Sequence, residues 1–143
     1  MMKRLILLLC VVWLSPLLGQ SERVCVQTDK SLYLSGETIW LAAYCLDGQS
    51  LQASDYSKVL YVELLNAEAE AVLQQKLPLL QGFAQGQLFV EGELNTGLYY
   101  LKAYTRAMRN AGPESFFELP IRVVHPFRLP EASLGERLAS DSI

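Results

Sequence analysis

The chain has 143 residues, a net charge of −3 and a hydrophobic content of 51%. That length suits a single domain with a sizeable core. The acidic balance, with no Lys/Arg cluster, argues against nucleic acid or an anionic lipid surface as the main partner.

The first element in chain order is a leader. Met1-Met2-Lys3-Arg4 is basic, Leu5 to Leu14 is an apolar run, and Ser15-Pro16-Leu17-Leu18-Gly19-Gln20 closes it. This pattern predicts a secretory signal peptide over residues 1–19, cut beside Gly19 or Gln20. The run falls short of the roughly 20 apolar residues that a membrane-spanning helix needs. A buried N-terminal helix fits poorly with Pro16 and the polar Gln20-Ser21-Glu22. Leu7-Leu8-Leu9-Cys10 lacks the small residues of a lipid-attachment site. Cleavage after Gly19 removes 19 of the 143 residues and leaves 124; losing Lys3 and Arg4 takes the net charge from −3 to −5. Export would leave Cys25 and Cys45 in an oxidising compartment, where two cysteines suggest one disulfide. An antiparallel hairpin could set them opposite each other, whereas a register one residue different puts them on opposite faces, and the alternation leans toward the latter. Both readings stay open.

Beyond residue 22 apolar residues alternate with period two, which predicts seven strands. The first is Val24-Cys25-Val26-Gln27. The second spans 38–46, with Ile39, Leu41 and Ala43 on one face and Trp40, Ala42 and Tyr44 on the other. The third, 58–65, turns Leu60, Val62 and Leu64 to one side. The fourth covers 70–77, ending at Pro78; a helix competes over Leu64 to Gln75, but a hairpin centred on Ala67-Glu68 is preferred. The fifth, 83–90, points Leu88 and Val90 inward. The sixth, Tyr99 to Thr105, does so with Tyr99, Leu101 and Ala103. The seventh, Phe116 to Val124, uses Phe117, Leu119, Ile121 and Val123, and Pro120 suggests an edge position. Turn signals separate these runs at Leu46-Asp47-Gly48, Asn66-Ala67-Glu68, Gln81-Gly82, Asn95-Thr96-Gly97 and Asn110-Ala111-Gly112-Pro113. The expectation is an all-β, seven-stranded antiparallel β-sandwich of immunoglobulin type over residues 20–127, with a polar tail or linker over 128–143. Gly97 and Tyr99 sit where Greek-key sandwiches often place a tyrosine corner, its hydroxyl bonded to nearby backbone.

Residues 28–37 form the most distinctive run. Asp29 is expected to accept bonds from backbone amides two residues on. Tyr33 and Leu34 offer an apolar anchor, Gly36 a backbone shape that side chains resist, and Lys30 can pair with Glu37. A rigid strand-to-strand connection is favoured over a recognition loop.

Gln27-Thr28-Asp29-Lys30-x-x-Tyr33-x-x-Gly36-Glu37-Thr38 resembles the start of the second macroglobulin-type domain of the α2-macroglobulin superfamily. Together with Ile39-Trp40, Gly97-Leu98-Tyr99-Tyr100-Leu101-Lys102-Ala103-Tyr104-Thr105 and Met108-Arg109-Asn110, it is similar to exported Bacteroidota envelope proteins carrying this domain. The likeness spans residues 23–127. It implies a macroglobulin-type sandwich used as a spacer or protein-interaction module in the periplasm, at the outer membrane or at the cell surface. Its partner would be an envelope protein, an outer-membrane receptor or a neighbouring domain. The chain departs from the protease-trapping members in having no Cys-x-Glu-Gln thioester run, and it is too short to enclose a protease.

Arg106 and Arg109, after the sixth strand, could hold a carboxylate or carbonyls, with Tyr104 and Met108 adding apolar contact. The competing reading is a turn locked by its own hydrogen bonds. Trp40, Tyr44, Tyr100 and Tyr104 are expected as an aromatic stripe on one outer face, open to glycan, peptide or a neighbouring domain, or simply stabilising cross-strand pairs. Catalysis is unsupported: His125 is the single histidine and has no spaced ligand set, Glu91 and Glu93 flank Gly92 in a turn, and no phosphate- or calcium-binding pattern exists. No cofactor, metal or enzymatic activity is expected. The reading is a non-catalytic exported module. The alternatives are a carbohydrate-binding module or a detached N-terminal domain of an outer-membrane receptor or macroglobulin-type inhibitor.

Overall fold

A computed structural model describes residues 21–128. The leader over 1–19 and the tail beyond residue 128 lie outside the described residues. Eight strands pack as two sheets: β1 (Glu22–Thr28), β2 (Leu32–Leu34), β3 (Thr38–Asp47), β4 (Val59–Leu65), β5 (Ala71–Pro78), β6 (Phe83–Phe89), β7 (Gly97–Thr105) and β8 (Phe117–Val124). The smaller sheet has the order β1-β3-β6 and the larger β2-β8-β7-β4-β5. A short helix α1 (Arg106–Ala111) and a 3-10 turn (Pro113–Ser115) join β7 to β8.

Period-two alternation produces this arrangement directly. One face of each strand is apolar and must be covered, so the two sheets bury those faces against each other. Val24, Val26, Ile39, Leu41, Ala43 and Leu88 from the smaller sheet meet Leu60, Val62, Leu64, Leu101, Ala103, Ile121 and Val123 from the larger. Burying each large apolar side chain contributes about 1.5–3 kcal/mol. Gly86 on β6 makes room for Leu77, whose Cδ2 lies 2.5 Å from where a Cβ would stand.

The seven expected strands are present, with ends moved by one or two residues. The eighth, β2, pairs parallel with β8 through Leu32–Leu34 against Arg122–Val124; all other pairs are antiparallel. Three residues are too few for a periodic signal, which is why alternation alone missed it. Pro120 lies in the part of β8 that β2 does not reach, and Pro78 ends the edge strand β5. The segment from 64 to 75 is the hairpin rather than a helix: Asn66 Oδ1 accepts from the amides of Glu68 and Glu70 at 3.1 and 2.9 Å, closing the turn.

Candidate interaction surfaces

The 29–37 crossing closes upon itself. Tyr33 is fully buried, and its hydroxyl donates to Asp29 Oδ1 at 2.6 Å while accepting from the Lys30 amide at 2.9 Å. Asp29 Oδ1 also accepts from the Trp40 amide at 3.0 Å, so Asp29 bridges to β3 instead of bonding amides two residues on. The Tyr33 hydroxyl holds the Asp29 carboxyl below its ordinary value; burial, then Asp29, push the tyrosine itself up to about 12. Lys30 pairs with Glu37 at 3.0 Å, and the second Glu37 oxygen takes the Leu34 amide at 2.8 Å. Gly36 has φ +94° and donates to the Val90 carbonyl. Leu34 does not share the anchoring role expected of it: alternation on β2 buries Tyr33 and leaves Leu34 exposed. With its polar groups satisfied internally, the segment is a rigid connection.

At the same end of the sandwich, where Ser35 Oγ donates to the Leu94 carbonyl at 2.7 Å, Tyr99 donates to the Asn95 carbonyl at 3.0 Å. Gly97 is an ordinary first strand residue paired with Val123, and a Cβ there would meet only the Tyr99 ring at 3.7 Å.

The aromatic stripe splits in two, because β3 and β7 belong to different sheets. Trp40 and Tyr44 lie on the outer face of the smaller sheet. There they are joined by Phe83 and Phe89 of β6, which the sequence reading had not assigned outward. The four are 57%, 42%, 38% and 57% exposed, respectively. Register places Cys25, Tyr44 and Phe83 in one cross-strand row, with Trp40 opposite Gln87 and Ala42 between Gln27 and Gln85. Tyr44 and Phe83 touch at 5.5 Å between ring centres. This face is aromatic and amide-rich, with Arg23 at its end as its charged member. The same register settles the cysteines: Cys25 faces Tyr44 and Cys45 faces Val24, so one thiol is exposed and the other buried, and both are free. The disulfide considered above does not form, because a one-residue offset sends the side chains to opposite faces.

Tyr100 and Tyr104 lie on the outer face of the larger sheet, where Tyr100 is exposed and Tyr104 is buried. Tyr104 is covered by Tyr61 and Phe116, stacked at 5.4 and 4.2 Å between ring centres, and its hydroxyl donates to Glu63 at 3.2 Å. The expected loop after β7 is helix α1. Thr105 caps it by accepting the Met108 amide at 3.3 Å, and Gly112 ends it with φ +119°. A threonine cap and a Gly-Pro stop are helix signals that were readable in the sequence, though six residues give no helical periodicity. Winding turns Met108 into the core, so it offers nothing to a partner. Arg106 and Arg109 remain exposed. Arg109 lies 5.6 Å from the Tyr61 ring, as does Lys76.

Glu22 is a buried carboxylate that the sequence reading passed over. It accepts from Ser54 Oγ at 2.6 Å, Ser57 Oγ at 2.5 Å, the Ser57 amide at 3.1 Å and Thr105 Oγ1 at 2.7 Å. Burial pushes its pKa up, but the bonds from Ser54, Ser57 and Thr105 outweigh this and lower it. Burial, then the Glu22 charge, push the Cys45 thiol up to about 12. The signal was available, since Glu22 shares the inward parity of Val24 and Val26. Its partners sit 32 to 83 residues away along the chain.

His125 Nδ1 accepts the Phe127 amide at 3.2 Å, and Glu93 is engaged by Arg128 at 2.7 Å. Among the described residues no three His, Cys, Asp or Glu gather to hold a metal, and no helix is long and apolar enough to cross a membrane.

Solved structures with this arrangement include Salmonella alpha-2-macroglobulin reacted with methylamine, at TM-score 0.58 and 17% identity over 79% of this chain and 7% of that one. Trypsin-activated alpha-2-macroglobulin from Escherichia coli is similar at TM-score 0.58 and 16% identity, over 73% and 7% of the two chains. The native conformation of the E. coli protein matches at 0.58 and 15%, over 74% and 6%. The fold is a macroglobulin-type β-sandwich. At these identities the likeness establishes the fold alone. The macroglobulin-type domain spans less than a tenth of the length of those chains. No protein-family model and no curated protein matches the sequence.

Proposed function

We propose that this macroglobulin-type domain is a non-catalytic, exported structural and protein-interaction module of the bacterial cell envelope, and that its contact surface is the outer face of the smaller sheet. The observation that carries this reading is the exposed set Trp40, Tyr44, Phe83 and Phe89 on an almost uncharged face. Together these rings present roughly 400 Å² to solvent, taking about 150–250 Å² for an aromatic side chain, within the range of the largest apolar patch on a monomer, which is often functional. Residues 1–19 serve as the export leader, and residues 128–143 as a linker or tail. The small share of the similar macroglobulins that this chain spans fits a module that works beside other domains or a separate receptor. The closed 29–37 crossing supports a structural role, because its polar groups have partners within the fold.

A photo-reactive phenylalanine analogue tests the surface. Placed at Trp40 in the full chain, it should crosslink to a specific envelope protein, whereas the same analogue at Leu98, on the opposite outer face, should not. Equal crosslinking from both positions, or retention of an uncleaved chain in the cytoplasm, would overturn the reading. Saturable quenching of Trp40 fluorescence by a neutral glycan, with no protein crosslink, would replace it with carbohydrate binding.

A further inference from the structure

The outer face of the larger sheet carries a second surface of different chemistry. Two hollows meet at the Tyr61 ring. One, about 530 Å³, lies between α1 and the start of β4 and is lined by Tyr56, Lys58, Val59, Arg106 and Asn110. The other, about 480 Å³, runs over β4 and β5 and is lined by Glu63, Gln74, Gln75, Lys76 and Arg109. In a protein of net charge −3, Lys58, Lys76, Arg106 and Arg109 converge here. Lys58 is paired with Asp55 at 2.6 Å. Lys76, Arg106 and Arg109 form no ion pair among the described residues. Lys76 and Arg109 each lie 5.6 Å from the centre of the Tyr61 ring, which the stack on Tyr104 and Phe116 holds in place.

We propose that this groove binds an acidic peptide segment of a partner protein, with carboxylates on Arg106 and Arg109 and apolar side-chain carbon against Tyr61 and Val59. Guanidinium groups match carboxylates in a planar, two-bond geometry that lysine lacks. Because Tyr61 lines both hollows, a ligand that contacts both must be extended. The lining also discriminates among polyanions. Glu63 sits within it beside Gln74, Gln75 and Asn110, and Asp55 occupies Lys58 at its margin, so a strand charged at every unit would run over a fixed carboxylate. A peptide with spaced carboxylates and free backbone amides meets both signs and the side-chain amides. The site lies on the face opposite Trp40 and is independent of the surface proposed above.

Titration of the purified chain with a fluorescent Glu-Ala repeat peptide, read by anisotropy, tests the proposal. The peptide should bind at low salt and weaken as salt rises. The Gln-Ala counterpart should not bind. Arg106→Ala and Arg109→Ala should each weaken binding about tenfold, the loss of one charge-assisted pair. Their urea midpoints should match the parent's; if Arg109→Ala unfolds through loss of its stem on Tyr61, Arg109→Gln keeps that stem and removes the charge. Equal binding of the two peptides, or undiminished binding by the arginine variants, would overturn the proposal. So would tighter binding of polygalacturonate than of the Glu-Ala peptide at equal charge concentration, which would assign the groove to an acidic glycan.

Discussion

Replacing Glu22 by alanine removes the acceptor shared by Ser54, Ser57 and Thr105, and with it the link between β1, the 54–57 connection and the cap of α1. A hydrogen bond to a charged group is worth about 1.5–3 kcal/mol, and an unpaired buried donor costs about 1–3 kcal/mol. Hydroxyls freed by the change can turn toward one another or take water, so the sum is not additive. The expected loss is about 3 kcal/mol for Glu22→Ala and about 1–2 kcal/mol for Glu22→Gln, which keeps one acceptor and the side-chain shape. Urea unfolding at neutral pH measures it as a fall in midpoint at unchanged slope, about 1–3 M for a typical slope. A pH series adds an independent check. Because the folded pKa of Glu22 lies below its ordinary 4.5, its contribution is fully present above that value and is lost as pH falls through the folded pKa. Asp29, Glu37, Asp47 and Asp55 are lowered too and share the acid-side loss. The parent and Glu22→Gln curves should therefore run parallel above pH 5 and converge below it. An alanine variant within about 0.5 kcal/mol of the parent, the range of ordinary surface changes, would refute the reasoning.

Tyr33→Phe should cost about 1–2 kcal/mol, because it leaves the Lys30 amide and Asp29 without the hydroxyl that joins them; the urea midpoint reports it. Gly82→Ala should destabilise by more than about 2 kcal/mol, since φ is +75° and a Cβ would lie 2.6 Å from the Cys45 carbonyl. The chain cleaved after Gly19, which lacks Cys10, should titrate one thiol with a disulfide reagent when native, Cys25, and two once unfolded; rapid native reaction of both would contradict the register that buries Cys45. Leu101→Ala, which empties a fully buried site between the sheets, should cost about 2–5 kcal/mol by thermal or urea unfolding.

Much of the fold was readable in the chain because strand alternation is a local property. Ile39-Trp40-Leu41-Ala42-Ala43-Tyr44 announces which side chains go in and which go out without reference to any other strand, and the same holds for Leu60 to Leu64 and Tyr99 to Ala103. Which outward residues become neighbours depends on sheet membership and register, and neither is local. Trp40 and Tyr100 both point outward, yet they stand on opposite faces of the molecule because β3 and β7 entered different sheets. Phe83 and Phe89 join Trp40 and Tyr44 only through the β3–β6 pairing; Lys76 meets Tyr61 through the β4–β5 register, and Arg109 reaches the same ring from α1. Cys25 and Cys45 show the limit most sharply: a single residue of offset decides between a bond and two free thiols. Glu22 shows it from inside, since its charge is tolerable only where hydroxyls from residues 54, 57 and 105 converge. Periodicity by itself determined the β-sandwich and its core faces, while long-range pairing decided the surfaces and the buried carboxylate, because those depend on contacts between residues far apart in the chain.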